Sequence, residues 1–168
     1  PGNVTLNATS GDVSGSGTIT GSLITIDAAA GEINVATAAT SLDAEASGPI
    51  VIAEVDAVAL RAESTNGNLS VAAGGLVTST AGTRIEADGD IEIDAQNFFL
   101  LGDLRSRSGD LTLNASTASA LLLGRVDADA ATITAATDIS LADSNLTSLV
   151  ATAAGDIAVT EEDGLNLS

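Results

Sequence analysis

Carboxylates are the side chains of this chain best suited to chemistry, and they cluster at two places. Glu161, Glu162 and Asp163 stand in VTEEDG, and Asp127 and Asp129 stand in RVDAD. Two carboxyl groups that flank a glycosidic bond can hydrolyse it, one as the acid and the other as base or nucleophile. His, Lys, Cys and Tyr are absent, which removes the other common general bases and nucleophiles. The sequence therefore favours solvated acidic turns at both places, and we predict no catalytic residue and no enzyme.

Further acids recur at the start of alternating apolar segments. They are Glu32, Asp90, Asp110, Asp138 and Asp156, with Asn3 and Asn68 at equivalent positions. If the segments stack in register, these side chains lie along one edge, where unscreened like charges destabilise the fold. Calcium could bridge such an edge, or each Asp could cap its own turn. The dedicated calcium loops are absent, so we assign no metal ligand and expect no other cofactor.

The net charge excludes two classes of partner. Five basic residues, all Arg, face 23 acidic ones, which gives a formal net charge of −18. Nucleic acids and anionic membranes bind through basic side chains. The longest apolar runs, FFLL at 98–101 and ALLLG at 120–124, are far shorter than the roughly 20 residues of a membrane-spanning helix. We therefore expect no nucleic-acid partner and no membrane span.

A short motif returns along the whole chain. GDLTLNA at 109–115 has variants that include GNVTLNA, GEINVAT, GNLSVAA, GDIEIDA, TDISLAD and GDIAVTE. The first apolar residues of five successive copies are Ile33, Ile50, Leu69, Ile91 and Leu111, which gives a period near 20 residues. Apolar and polar residues alternate within each copy, which is typical of strands. A strand that returns at this period pairs in parallel with its own copy, so the sequence predicts a parallel β-helix.

The later copies can be placed by alignment. LLGRVDADAATIT (122–134) aligns without a gap under LLGDLRSRSGDLT (100–112), which puts Ile133 in the place of Leu111. About eight coils result, and at about 4.8 Å a coil they form a rod about 40 Å long. Phe98 and Phe99 cannot both point inward without a bend or bulge, and we expect a local core filler there. With no break in composition, residues 1–168 read as one β-helical repeat domain, either a segment of a longer chain or a filament subunit.

The recurring G-[DN]-[ILV]-x-[LIV] pattern, with Ala and Thr between copies in a chain without Lys or Cys, resembles a known group. It is similar to the repeat region of filamentous haemagglutinin-type exoproteins and large bacterial surface adhesins, and the resemblance covers the whole chain. This resemblance implies an all-β fold, a right-handed parallel β-helix, that forms the shaft of an exported fibre or adhesin. It implies no catalytic residue.

We therefore expect an extracellular structural protein, at the cell surface or in a secreted filament, that presents an acidic surface. A cell-surface or glycan contact fits that role. The alternative is a carbohydrate-active β-helical enzyme or a glycan-binding module. A sugar bound in a groove lined by carboxylates would distinguish the two.

The first and last segments predict self-association. PGNVTLNA opens within a strand motif, and Leu165 and Leu167 still alternate in GLNLS. An uncapped β-helix end exposes unpaired strand edges and an apolar cross-section. We expect the terminal coils to stack head to tail between copies, or to continue in a longer polypeptide.

Overall fold

Every regular element of the described chain is a β-strand. A computed structural model describes residues 2–161 and 166–167. The strands, in chain order, are β1 (Val4–Ala8), β2 (Val13–Ala28), β3 (Ile33–Ala46), β4 (Ile50–Glu54), β5 (Val58–Ser64), β6 (Leu69–Ala73), β7 (Leu76–Ser79), β8 (Arg84–Ala87), β9 (Ile91–Ala95), β10 (Asn97–Leu100), β11 (Asp103–Ser106), β12 (Leu111–Ala115), β13 (Ala120–Ala135), β14 (Ile139–Ala153), β15 (Ile157–Glu161) and β16 (Asn166–Leu167). They form one continuous sheet by parallel pairing. The predicted all-β parallel solenoid is confirmed, with about 8 turns and a period near 19 residues.

Three strands make one coil. In the middle of the chain β9, β10 and β11 run in turn, and β12 then begins the next coil by pairing with β9. The solenoid therefore has three faces, named here by their strands. The first face contains β4, β6, β9 and β12, the second face contains β7 and β10, and the third face contains β1, β8 and β11. The long strands β2, β3, β13 and β14 bend around corners and contribute to more than one face.

Stacked aliphatic side chains form the core of the first face. One inward column runs through residues that pair from coil to coil: Val13, Ile33, Ile50, Leu69, Ile91, Leu111, Ala131 and Leu149. Ile91 and Leu111 are each 1% exposed, whereas Thr112 is exposed on the outer side. The alternation therefore assigned the two sides of these strands correctly.

The predicted register after Leu111 is wrong by two residues. Leu100 pairs with Leu122 and Leu104 pairs with Val126, as the ungapped alignment requires. Leu111, however, pairs with Ala131 and not with Ile133. The earlier coil turns this corner through residues 107–110, between β11 and β12, whereas β13 crosses the same corner as extended chain. An extended corner needs fewer residues than a turn, so Ala131 follows Val126 by five residues where Leu111 follows Leu104 by seven.

The two phenylalanines point to opposite sides of β10. Phe98 is 2% exposed and fills the core of the second face, whereas Phe99 is 39% exposed on the outside. Their alternation satisfies ordinary strand geometry, with no bulge between them. The predicted core filler is confirmed for Phe98 alone.

Candidate functional site

All five arginines of the chain lie on or beside the outer surface of the third face. They are Arg61, Arg84, Arg105, Arg107 and Arg125. The pairing places charged residues above one another in a column that runs Asp27, Glu45, Glu63, Glu86, Arg105 and Asp127. Three acid–arginine pairs lie in the adjacent column: Asp43 with Arg61, Arg84 with Asp103, and Arg125 with Asp143. We call this set of charged residues the arginine cluster.

Glu86 is the centre of the arginine cluster. Its side chain is fully buried, although it projects from the outer side of β8. Arg84 donates to its Oε2 at 2.8 Å, and Arg107 donates to its Oε1. The Arg105 guanidinium lies 3.9 Å from the same carboxylate. Three guanidinium groups thus cover one carboxylate, which compensates for its removal from water.

Arg107 and Arg61 also contact other acids of the third face. Arg107 lies 3.7 Å from Glu63, and Arg61 contacts both Asp43 and Glu45. The Asp43 carboxylate, followed by that of Glu45, raises the pKa of Arg61 above its ordinary value because both stabilise the charged guanidinium. These pairs are each about one-third to one-half exposed. Their role is therefore to offset repulsion in the acidic column and not to add much stability.

A cleft of about 240 Å³ opens in this surface, lined by Arg84, Asp103, Leu104, Arg105, Arg125 and Asp127. Its charges alternate in sign from coil to coil. The backbone N–H of Arg125 donates to the Asp103 carboxylate at 3.2 Å, and the Arg105 guanidinium lies 3.6 Å from that of Asp127. Such a surface matches a partner of mixed charge and offers no concentrated field for a polyanion.

The acidic clusters predicted as turns lie in strands, since Asp127 and Asp129 are within β13 and Glu161 ends β15. Asp127 accepts from Asn145 at 3.1 Å, in addition to its contact with Arg105. Asp129 is exposed, and its backbone N–H donates to the Gly109 carbonyl at 3.4 Å. In the second cluster, Glu161 accepts from the Ser144 hydroxyl at 2.6 Å and from the Leu146 N–H at 3.2 Å. Its predicted companions, Glu162 and Asp163, lie outside the described residues.

Sequence reasoning missed a buried carboxylate with the same arrangement. Glu54, only 4% exposed, accepts from the Thr37 hydroxyl at 2.7 Å and from the Ala39 N–H at 3.1 Å. It also accepts from the Val55 N–H at 3.0 Å, where the chain leaves β4. A signal was present, because Glu54 continues the inward phase of Ile50 and Ile52 in IVIAE. A carboxylate in that phase requires several buried donors. Thr37 and Ala39 of β3 supply two of them, and Val55, just beyond the end of β4, supplies the third.

The acidic residues of the repeated motif form hydrogen bonds from coil to coil. The side-chain oxygen of Asn68 accepts the Asp90 N–H at 3.0 Å, and Asp90 accepts the Asp110 N–H at the same distance. A Cβ at Gly109 would overlap the Asp90 carboxylate, which explains why Gly precedes Asp in the motif. Asp90 and Asp138 therefore do cap a backbone N–H, but that N–H belongs to the next coil and not to their own turn.

The motif acids do not lie on a single edge, contrary to the prediction. Asp90 and Asp110 precede strands of the first face, whereas Asp138 and Asp156 precede Ile139 and Ile157 of the second face. Asn3 precedes β1, which belongs to the third face. The motif marks the start of a face, because neighbouring coils approach one another equally closely at every corner. The acids are consequently divided among edges. Within the described residues, no three acidic side chains converge closely enough to hold a metal ion.

The fold and these contacts define a class of protein: a parallel β-solenoid whose carboxylates join neighbouring coils. Over residues 2–161 and 166–167, no helix is long and apolar enough to cross a membrane. The family described as Toastrack DUF4097 matches residues 2–120, more than half of the chain. The chain therefore belongs to the Toastrack DUF4097 family. Comparisons with curated proteins and with solved structures found no match.

Proposed function

We propose that this solenoid is the shaft of an extracellular fibre or adhesin, with a structural and not a catalytic role. The observation that carries the proposal is the uninterrupted parallel stack, in which every strand from β1 to β14 pairs with a strand of the next coil. A stack of this kind converts chain length into a rod, because each coil adds about 4.8 Å. The resemblance of the repeats to filamentous haemagglutinin-type adhesin shafts supports the extracellular setting.

The use of the carboxylates supports the structural side of the proposal. Glu54, Glu86 and Glu161 each accept a hydrogen bond from another coil, and Asp127 lies between Arg105 and Asn145. Groups held in this way lock coils in register. The catalytic acid of a glycosidase instead faces a second carboxylate across an open groove that admits the sugar.

The edges of the terminal coils support end-to-end growth. Among the described strands, β1 pairs with β2 alone, and β15 pairs with β14 alone. Ile157 is 46% exposed on β15, and Val4 and Leu6 are only partly buried on β1. Unpaired edges with apolar neighbours accept a further strand, either from a longer chain or from another copy.

Electron microscopy of the 168-residue chain at neutral pH tests end-to-end growth. Single-solenoid filaments that lengthen with protein concentration are expected, with growth favoured by salt because the chain carries a charge of −18. A dispersed monomer under all these conditions would contradict self-stacking.

An antibody against the chain should label intact source cells, and labelling only after permeabilisation would contradict the extracellular setting.

A further inference from the structure

The outer surface of the second face differs sharply from that of the third face. Its outer column runs through Ala59, Thr78, Phe99, Leu121, Ser140 and Ala158, none of which is charged. The equivalent column of the third face is charged at six consecutive positions from Asp27 to Asp127. In a chain of charge −18, an uncharged face is where another large surface can approach with the least desolvation of charge.

An apolar patch occupies the middle of this face. Phe99 pairs directly with Leu121, and Leu101 and Leu123 follow the paired residues Leu100 and Leu122. Phe99, Leu101 and Leu123 are 39%, 38% and 41% exposed. The exposed aliphatics of the first face, Val51 and Val150, stand alone, since Val51 pairs with Asn34 and Ser70 and Val150 pairs with Thr132. Stacked exposed apolar residues of this kind mark a protein–protein contact.

The rim of the patch indicates which partner fits. Where the chain turns from the second face to the third, Asp103 follows in one coil and Arg125 in the next. The adjacent column has the opposite order, with Arg105 in the first coil and Asp127 in the next. A purely acidic or purely basic partner would meet like charge at half of these positions. A partner with the same alternation meets opposite charge at all of them.

We propose that the second face pairs with the second face of another copy of this chain, with the two solenoids antiparallel. A two-fold axis that lies in the interface, perpendicular to the solenoid axes, would cross between the Phe99 and Leu121 coils. It would bring Phe99 of each copy against Leu121 of the other. At the rim it would bring Asp103 of each copy against Arg125 of the other. Such an isologous contact closes at two copies, unlike head-to-tail stacking. It therefore goes beyond the proposed shaft role and does not depend on it.

Sedimentation velocity of the 168-residue chain at physiological salt tests the apolar part of the inference. The wild-type chain should form a dimer, and the Phe99→Ser/Leu123→Ser variant should raise the dissociation constant by about tenfold or more. Val51→Ser/Val150→Ser is the matched control, since these residues are 43% and 41% exposed on the first face. The control should dimerise like the wild type. A wild-type monomer throughout the concentration range, or equal behaviour of the two variants, would overturn the inference.

Mixing two charge variants tests the antiparallel arrangement. The Asp103→Arg chain and the Arg125→Asp chain should each dimerise poorly alone, because each places like charges opposite one another. Mixed together they should form a heterodimer, since each supplies the charge that the other lacks. Circular dichroism verifies that both variants fold. Failure of the mixture to recover dimer would overturn the proposed arrangement.

If filaments form through the ends, the Phe99→Ser/Leu123→Ser variant should still give them, but without lateral pairing. The two proposals can therefore fail separately.

Discussion

The first and third faces are built on the same repeat, yet like residues stack favourably in the core of the first face and unfavourably on the outer surface of the third. In the first face, like residues stack: Ile50, Leu69, Ile91 and Leu111 follow one another in the core. Its two outer columns carry only Glu92 and Asp94 as charges among small neutral residues. In the outer columns of the third face, acids stack on acids until arginines interrupt them. Apolar ladders gain from identical neighbours, whereas charged ladders need alternation.

The largest expected effect is in the apolar ladder. Ile91→Asp would bury an unpaired charge between two coils, and we expect a loss of about 4 kcal/mol or more in the free energy of unfolding. Thr112→Asp, on the outer side of the adjacent coil, should cost about 1 kcal/mol or less, mainly through repulsion from Glu92. Chemical denaturation measures both. Equal losses would mean that the inner and outer sides of the first face are wrongly assigned.

The arginine cluster should give an intermediate effect. Glu86→Gln removes the fully buried charge that three guanidinium groups cover, and we expect a loss of about 1–3 kcal/mol. The arginines remain partly exposed, so they can turn to water and limit the loss. Glu45→Gln is the matched control in the same column, because its side chain is 50% exposed and, among the described residues, its ion pair is with Arg61. It should change stability by less than about 1 kcal/mol. If the Glu86 variant were as stable as the control, the arginine cluster would contribute no more to stability than exposed ion pairs do.

These two faces also differ in how far the sequence could predict them. The apolar ladder was predicted because its residues repeat within a five-residue motif and need no knowledge of the corners. The contacts of Glu86 were not predicted, because Arg105 and Arg107 reach it from the next coil through an alignment that depends on corner length. The error at Leu111, where Ala131 and not Ile133 is the partner, shows how a corner of unknown length displaces the contacts of the strand that follows it. The alternation of apolar and polar residues within a strand does not depend on corner length, so the sequence still predicts it.

The smallest expected effect concerns the acidic edges. Asn68 already accepts the N–H of the next coil with an amide oxygen, so Asp90→Asn should keep its hydrogen bond while it removes a charge. We expect the melting temperature of this variant to exceed that of the wild type by about 1–3 °C in dilute buffer. Molar salt should stabilise the wild type and abolish the difference. A lower melting temperature for the variant would show that the carboxylate itself is required.

Calcium distinguishes screening from bridging at the same edges. Both calcium and sodium salts should raise the melting temperature of the wild type, because each screens like charges. A larger rise with millimolar calcium than with sodium chloride of equal ionic strength would indicate bridging. No rise with either ion would contradict the role given to edge repulsion.

The central claim is that one parallel stack runs through the chain in a fixed register, and paired cysteines test it most directly. The chain has no Cys, so introduced pairs are unambiguous. Thr112 pairs with Thr132, and their Cα atoms should lie about 4.8 Å apart, within disulfide reach. Thr134 lies two residues further along the same exposed side, at about 8 Å by the same strand spacing, which is too far. After mild oxidation, mass spectrometry should find an internal disulfide in Thr112→Cys/Thr132→Cys and none in Thr112→Cys/Thr134→Cys. The reverse result would contradict the register, and with it the stack on which the shaft role rests.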